Sequence, residues 1–355
     1  MMLHESSQVP IPKWWRSKQE EIQHFIDSRV TKGEVRVLVK SSGGRPVKAI
    51  CYGEREEGLR GTANFNSAIA AGSEEYFYRW SKRKKGVLLV IGGIHGAEVE
   101  GMIGSLSLAN VLETGSDISG HAQPELLAKL NALRVIIVPM ANPDGRARVP
   151  YDGWVELPTD EMVRFGQGTN KRMELFDSGC MAIHPMGGDV DILGGYFDDA
   201  GVNLMHDEWW SPMSPVTRAL FTLVRDEAPD VLINLHGHSY DPCILPQSYI
   251  PYKAKKRLKT LYDAYYRQLA ANGYVGREFD IPGLDDEDRG DVTLNLNSMF
   301  YHIGARLPFV YESPQGCYDI SEQGDKLYKT RPYGYEDILS LMNILFDSVA
   351  DFMKR

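Results

Sequence analysis

Residues 87–91, Val-Leu-Leu-Val-Ile, form an unbroken apolar run that leads straight into Gly92-Gly93-Ile94-His95-Gly96-Ala97-Glu98. A short continuous apolar run bounded by glycines is the pattern of a strand buried on both faces. A helix pattern begins at once and covers about residues 98–113. A buried strand feeding directly into a helix is the repeating unit of α/β proteins. In open sheets of that kind, ligands bind in the crevice outside the carboxyl ends of the strands. His95 and Glu98 stand at that end. An imidazole and a carboxylate there supply two of the three protein ligands of a catalytic zinc site.

Further strands follow the same plan. Residues 134–139 read as a second buried strand that ends in the turn signal Asn142-Pro143-Asp144-Gly145. Residues 229–235 read as a third, ending at His236, and residues 308–311 as a fourth, ending at Glu312. Residues 35–39 and 47–51 form an edge hairpin. Helices are expected from Ser214, over 252–271, near 294–303, and from about 335 to 353. Residues 54–85 form a polar excursion. Residues 146–200 are rich in Gly and Pro, and a long irregular stretch of this kind is usually functional or mobile. The alternation predicts a three-layer α/β/α sandwich with a mixed, mostly parallel central sheet. No repeat or linker divides the chain. It is read as a single catalytic domain over 1–355, with an N-terminal extension to about residue 34 and the 146–200 excursion near the site.

Composition narrows the partners. The formal net charge of -9 argues against nucleic acid or an anionic membrane as partner. No apolar run approaches the roughly 18–20 residues of a membrane span. The N-terminus lacks a charged segment followed by an apolar one, so no signal peptide is expected. Cys51, Cys180, Cys243 and Cys317 lie far apart with no C-x-x-C pair. That usage fits reduced, buried thiols and a cytoplasmic protein.

Three expected strand ends thus carry metal-ligand or acid side chains: His95 with Glu98, His236, and Glu312. Zinc in hydrolytic sites takes three ligands from His and Glu, lowers the pKa of a water and polarises the scissile carbonyl. A further carboxylate is needed to accept the proton and pass it to the leaving nitrogen. Glu312 can fill that role without being a ligand. Each residue alone has a structural reading as well; their common placement after apolar strands joins them. Cobalt or iron also suits such a donor set. No G-x-S-x-G elbow and no G-x-x-x-x-G-K-[ST] loop is present, which argues against a serine nucleophile or nucleotide hydrolysis.

Over about residues 35–350 the chain resembles the zinc carboxypeptidases. His95-Gly-Ala-Glu98 resembles the family's H-x-x-E pair, and Asn142-Pro143-Asp144-Gly145 is similar to its Asn-Pro-Asp-Gly turn. Asn234-Leu235-His236-Gly237-His238-Ser239-Tyr240 resembles the strand end with the third ligand. Phe309-Val310-Tyr311-Glu312-Ser313-Pro314 resembles the strand with the catalytic glutamate. The resemblance implies one zinc ion per chain on His95, Glu98 and His236, with Glu312 as general base and acid. His238 is the rival third ligand. The implied activity is that of a metallocarboxypeptidase-like peptidase acting on peptides.

The pattern breaks at Gly201-Val202-Asn203-Leu204-Met205-His206-Asp207, where Met205 and His206 replace the family's Asn-Arg carboxylate clamp. A histidine cannot reproduce the bidentate fork of arginine. Arg146, Arg148 and His206 are the remaining substrate-binding candidates, each with a structural reading beside it. His206 and Asp207 are candidates for a His–carboxylate pair. No tyrosine occupies the expected place in the acidic loop 285–291. Two other functions stay open. One is an N-acyl amino acid deacylase similar to aspartoacylase and succinylglutamate desuccinylase; the other is a non-catalytic zinc-binding relative.

Overall fold

Along the central strands, successive apolar side chains enter two different cores. Leu88 and Val90 pack on one face of the sheet, while Val87, Leu89 and Ile91 pack on the other. Val135 and Ile137 likewise oppose Ile136 and Val138. Side chains alternate across a strand, so a run that is apolar at every position requires cover on both faces. The computed structural model describes residues 9–57, 82–245, 249–279, 281, 294–321 and 323–354. The acidic loop 285–291, most of the 54–85 excursion and the first eight residues lie outside them.

Seven strands form the main sheet: β1 (Glu34–Lys40), β2 (Pro46–Tyr52), β3 (Val87–Gly92), β4 (Arg134–Val138), β7 (Val231–His238), β8 (Cys243–Leu245) and β9 (Pro308–Pro314). Two small ladders lie apart from it, β5 (Gly168–Thr169) with β6 (Ile192–Leu193), and β10 (Asp319–Ile320) with β11 (Lys326–Leu327). The main order is β1-β2-β4-β3-β7-β9-β8. The inner four, β4-β3-β7-β9, run parallel, and β1, β2 and β8 are antiparallel additions at the margins. The expected edge hairpin is present as β1 and β2.

Helices Gln19–Arg29, Val99–Thr114, Tyr252–Ala271 and Tyr335–Met353 pack into one core, and helices Pro215–Glu227 and Leu296–Ile303 into the other. The result is the expected three-layer arrangement. The crossover after β3 lies on one face and the helix leading into β7 on the other. The chain order therefore reverses about β3, which opens a crevice at its carboxyl end.

Several expectations change in detail. The strand expected to end at His236 continues to His238, because its pairing with β9 runs from Leu232↔Pro308 to His238↔Pro314. The Asn-Pro-Asp-Gly turn is the start of a short helix, Pro143–Arg148, with the Asn142 side chain accepting from the Gly145 amide. Helices Gln19–Arg29, Pro124–Leu130 and Thr159–Gly166 were not legible in the apolar periodicity. The last of these and the β5–β6 ladder give order to the excursion expected to be irregular. No helix among the described residues is long and apolar enough to cross a membrane.

Candidate metal centre

The loop after β3 is fixed by backbone before any ligand is considered. Ala141 N–H donates to Gly92 O and Asn142 N–H to Gly93 O, which ties the ends of β3 and β4 together. Gly96 N–H donates to Gly195 O at 2.7 Å, and Trp154 Nε1–H donates to Ala97 O at 2.6 Å. At Gly96 an added Cβ would lie 2.1 Å from Arg146 N and 2.3 Å from Gly145 C. Only glycine allows that approach of two backbones. The short helix at Pro143 is thereby pressed directly against the His95 loop.

Glu98 is the N-cap of helix Val99–Thr114, yet its side chain caps nothing. Its two oxygens face two imidazoles. His95 Nδ1 lies 2.8 Å from Oε1, and His236 Nδ1 lies 2.8 Å from Oε2. All three side chains are buried, and their ligand atoms lie within 4.8 Å of one another. Burial alone would raise the Glu98 carboxyl, but His95 and His236 outweigh it and hold it well below the usual carboxylate range. The N-terminal end of the helix dipole favours the same negative charge.

The back of His95 is also held. Its Nε2 lies 3.2 Å from Asn203 Oδ1. The amide oxygen can only accept and so favours a proton on Nε2, the tautomer that would leave Nδ1 for a metal shared with Glu98 and His236. The Tyr196 ring stacks on the His95 ring, with centroids 4.0 Å apart and an interplanar angle of 18°. Burial, with the Glu98 and Glu312 charges, pushes the Tyr196 phenol far above its ordinary range and keeps it neutral. Asn203 and Tyr196 were missed in the sequence. Both come from chain more than a hundred residues distant, and no local pattern links them to His95.

This donor set fits a zinc ion. Two imidazole nitrogens and a carboxylate converge from two strand ends, and the His95 tautomer is set by a partner behind the ring. His238 is placed elsewhere. Its Nδ1 accepts from the Tyr240 amide at 2.8 Å, and its Nε2 lies 3.3 Å from Cys243 Sγ. Glu312 is the direct cross-strand neighbour of His236. It is partly exposed. Burial pushes its carboxyl up to about 8, with His236 drawing it down and Glu98 pushing it further up.

The three substrate-binding candidates fare differently. Arg146 is buried, with Nε donating to Ser17 O, Nη1 to Val149 O and Nη2 to Tyr151 O. Arg148 donates to Leu193 O and Gly194 O and pairs with Asp199. These guanidinium groups tie loops to the short Pro143–Arg148 helix, and neither presents a fork to a ligand. His206 stands among the imidazoles. Burial pushes it down to about 4, helped by His95, His184 and His236, so it is neutral at pH 7. The expected pairing of His206 with Asp207 does not form. Asp207 accepts instead from the Glu208, Met213 and Ser214 amides at the entry to helix Pro215–Glu227. Met205 packs into the second core.

The comparisons agree with this architecture. The zinc carboxypeptidase family matches residues 22–275. That span holds His95, Glu98 and His236 and stops short of Glu312. Similar solved structures include a metallo-carboxypeptidase from Burkholderia cenocepacia, 14% identical, with a TM-score of 0.56 over 95% of this chain and 69% of that one. Carboxypeptidase A from Helicoverpa armigera is 14% identical, with a TM-score of 0.55 over 95% of this chain and 72% of that one. At these identities the likeness shows the fold. No curated protein matches the sequence. The family match over most of the chain, on a fold shared with carboxypeptidases, shows that this chain belongs to the zinc carboxypeptidase family.

Proposed function

We propose that the chain is a zinc-dependent hydrolase of amide bonds that acts on peptides, a metallocarboxypeptidase-like peptidase. His95, Glu98 and His236 hold one zinc ion, and Glu312 is the general base and acid. The reading rests on the convergence of two imidazole Nδ1 atoms on the two oxygens of Glu98, with Glu312 in register beside His236. Zinc bound there would lower the pKa of a water and polarise an amide carbonyl.

The chain's own groups have separable tasks. Asn203 fixes the ring orientation and tautomer of His95. Tyr196 covers one face of that ring and excludes water from it. Glu312 takes a proton at a carboxylate oxygen and returns it to the departing amine. A carboxyl raised toward neutrality is matched to both transfers. His206, being neutral, offers a hydrogen bond and no charge. Arg146 and Arg148 maintain the loops around the site. The four cysteines are free and buried, which supports a reducing compartment such as the cytoplasm.

One observation bears on the substrate. Where the family places its Asn-Arg clamp, Met205 is core and His206 is uncharged. A peptide with a blocked C-terminus, such as an amidated one, loses nothing there, whereas an N-acyl amino acid keeps an α-carboxylate and the deacylase alternative gains nothing from this change. Mass-spectrometric product analysis of the zinc-loaded chain tests both readings. The pool would mix free-acid peptides, amidated peptides and N-acyl amino acids, with Glu312→Gln as control. Release of single C-terminal residues supports the peptidase. Acyl release replaces it with the deacylase. No Glu312-dependent turnover of any member rejects both.

A further inference from the structure

The amino ends of the central strands border a cavity of about 360 Å³, between the starts of β3, β7 and β9 and the last turn of helix Tyr335–Met353. Val231 lines it, and His236 lies toward the other end of the same strand. At about 3.3 Å per residue the two stand roughly 17 Å apart along the sheet. The cavity is therefore separate from the metal centre. Two basic stretches remote in sequence meet there. Residues 82–85 read Lys-Arg-Lys-Lys, and residues 253–259 read Lys-Ala-Lys-Lys-Arg-Leu-Lys. Arg83 and Lys85 come from the first, Arg257 from the second and Arg306 from the turn before β9; Asp230 is the one carboxylate beside them.

The cations are held in place by the strand ends. Asp230 Oδ2 accepts from Arg83 Nη1 at 3.0 Å and from the Val87 amide at 2.9 Å, and its Oδ1 lies 3.7 Å from Arg306 Nη1. Arg83 Nη2 donates to Glu227 O at 2.8 Å, and the Arg306 amide donates to Pro229 O at 2.8 Å. One carboxylate thus orients two guanidinium groups and cannot neutralise both. The Glu227 carboxylate is engaged by Arg134 at 2.8 Å. In a chain of net charge -9, this concentration of positive charge around one small volume is a local exception.

A second observation points to a ligand. The Arg83 side chain is only 4% exposed, and its Nε is buried without a hydrogen bond among the described residues. A buried charged donor left unmatched is costly, and the cavity is the open space that this side chain lines. The anion that suits such a lining is set by geometry. A carboxylate carries one charge and presents its oxygens in one plane. A phosphate carries up to two charges and presents oxygens in three directions, which matches cations arriving from several elements. The remaining lining includes Phe352 and Met353, and an added Cβ at Gly86 would lie 3.1 Å from Met353 Cε. The volume falls in the usual range of small-molecule sites, about 300–1,000 Å³.

We propose that this cavity binds a small phosphate-bearing molecule of two or more negative charges, with its phosphate oxygens on Arg83, Lys85, Arg257 and Arg306. The site does not depend on the hydrolase reading. The phosphate can come from inorganic pyrophosphate or from an organic ester such as a nucleoside diphosphate, whose apolar part would rest on Phe352 and Met353. Pyrophosphate and ADP as probes separate the two sources: tighter binding of ADP assigns the ester, and equal or weaker binding assigns the inorganic ion.

The test is calorimetry on the full chain at about 0.15 M salt, where diffuse surface attraction is screened. Both phosphates are expected to bind, and adenosine is not. Lys85→Gln and Arg257→Gln are each expected to weaken binding about ten-fold. Lys85→Arg keeps the charge and is expected to keep binding, which separates loss of charge from loss of fold. Lys253→Gln, exposed on the same helix as Arg257 and outside the cavity, leaves binding unchanged. Because the probes also bind metal ions, each titration is run on the zinc-loaded and the metal-free chain, with binding expected in both. Binding that disappears with the metal places the ligand at the metal centre and overturns the proposal. No binding of either phosphate overturns it as well. So does citrate binding as tightly as pyrophosphate, or a loss in Lys253→Gln equal to that in Arg257→Gln.

Discussion

His236 and Glu312 are direct partners in the parallel pairing of β7 with β9. Neighbouring strands stand about 4.8 Å apart, so the sheet itself sets the spacing between His236, the proposed metal ligand, and Glu312, the proposed general base. Substituting Glu312 by Gln keeps the shape and removes the proton acceptor. Hydrolysis is expected to fall by about 10²–10⁴, with zinc content unchanged. Parallel metal analysis and turnover assays check this, and a variant that loses zinc would make Glu312 a ligand instead.

His95→Ala and His236→Ala are each expected to lose zinc on dialysis, because each removes one of the three proposed ligands. Asn203→Ala leaves the ligand set intact but frees the His95 ring to rotate or change tautomer. Its zinc affinity is expected to fall about 10–100-fold, measured by competition with a chromogenic chelator. Full retention of metal in both histidine variants sinks the site assignment.

Gly96→Ala tests the packing under the site. The new Cβ would meet the backbone of Gly145 and Arg146, which no side-chain rotation relieves. A destabilisation of about 3 kcal/mol is expected, read from urea unfolding of the metal-free chain. Gly120→Ala, where an added Cβ meets nothing within 4 Å but φ is +100°, is the comparison for backbone strain alone.

Asp144 ties the β1–β2 loop to the Pro143–Arg148 helix. It accepts from Ser41 Oγ at 2.6 Å, Gly43 N–H at 2.8 Å and Arg45 Nη1 at 2.8 Å. Burial raises its carboxyl, but these hydrogen bonds and the Asp199 amide outweigh it and hold it below the ordinary value. A depressed folded value means that its stabilisation is present above the unfolded pKa of about 3.9 and is lost as pH falls through the folded value. Asp144→Asn is expected to cost about 1.5–3 kcal/mol at pH 7. The gap between the two melting curves should close as pH falls below 4, and a constant gap across pH would rule out the ionic cause.

Local sequence determined a good deal of this protein. The apolar runs of β3, β4, β7 and β9 identified a sheet covered on both faces, because a strand apolar at every position admits no solvent-facing side. The placement of His95, Glu98, His236 and Glu312 at or near their ends was legible because strand, turn and helix start are encoded by neighbours in the chain. Tertiary structure alone decided what surrounds them. The meeting of His236, rather than His238, with Glu98 and the contact of His238 with Cys243 depend on how β7 lies beside the β3 loop. The confinement of Arg146 and Arg148 depends on carbonyls from the N-terminal segment and from residues 193–194. Asn203 and Tyr196 join His95 across more than a hundred residues. Periodicity carries information only over the few residues that share a turn or a pleat, whereas these contacts exist only after the sheet has brought its strand ends together.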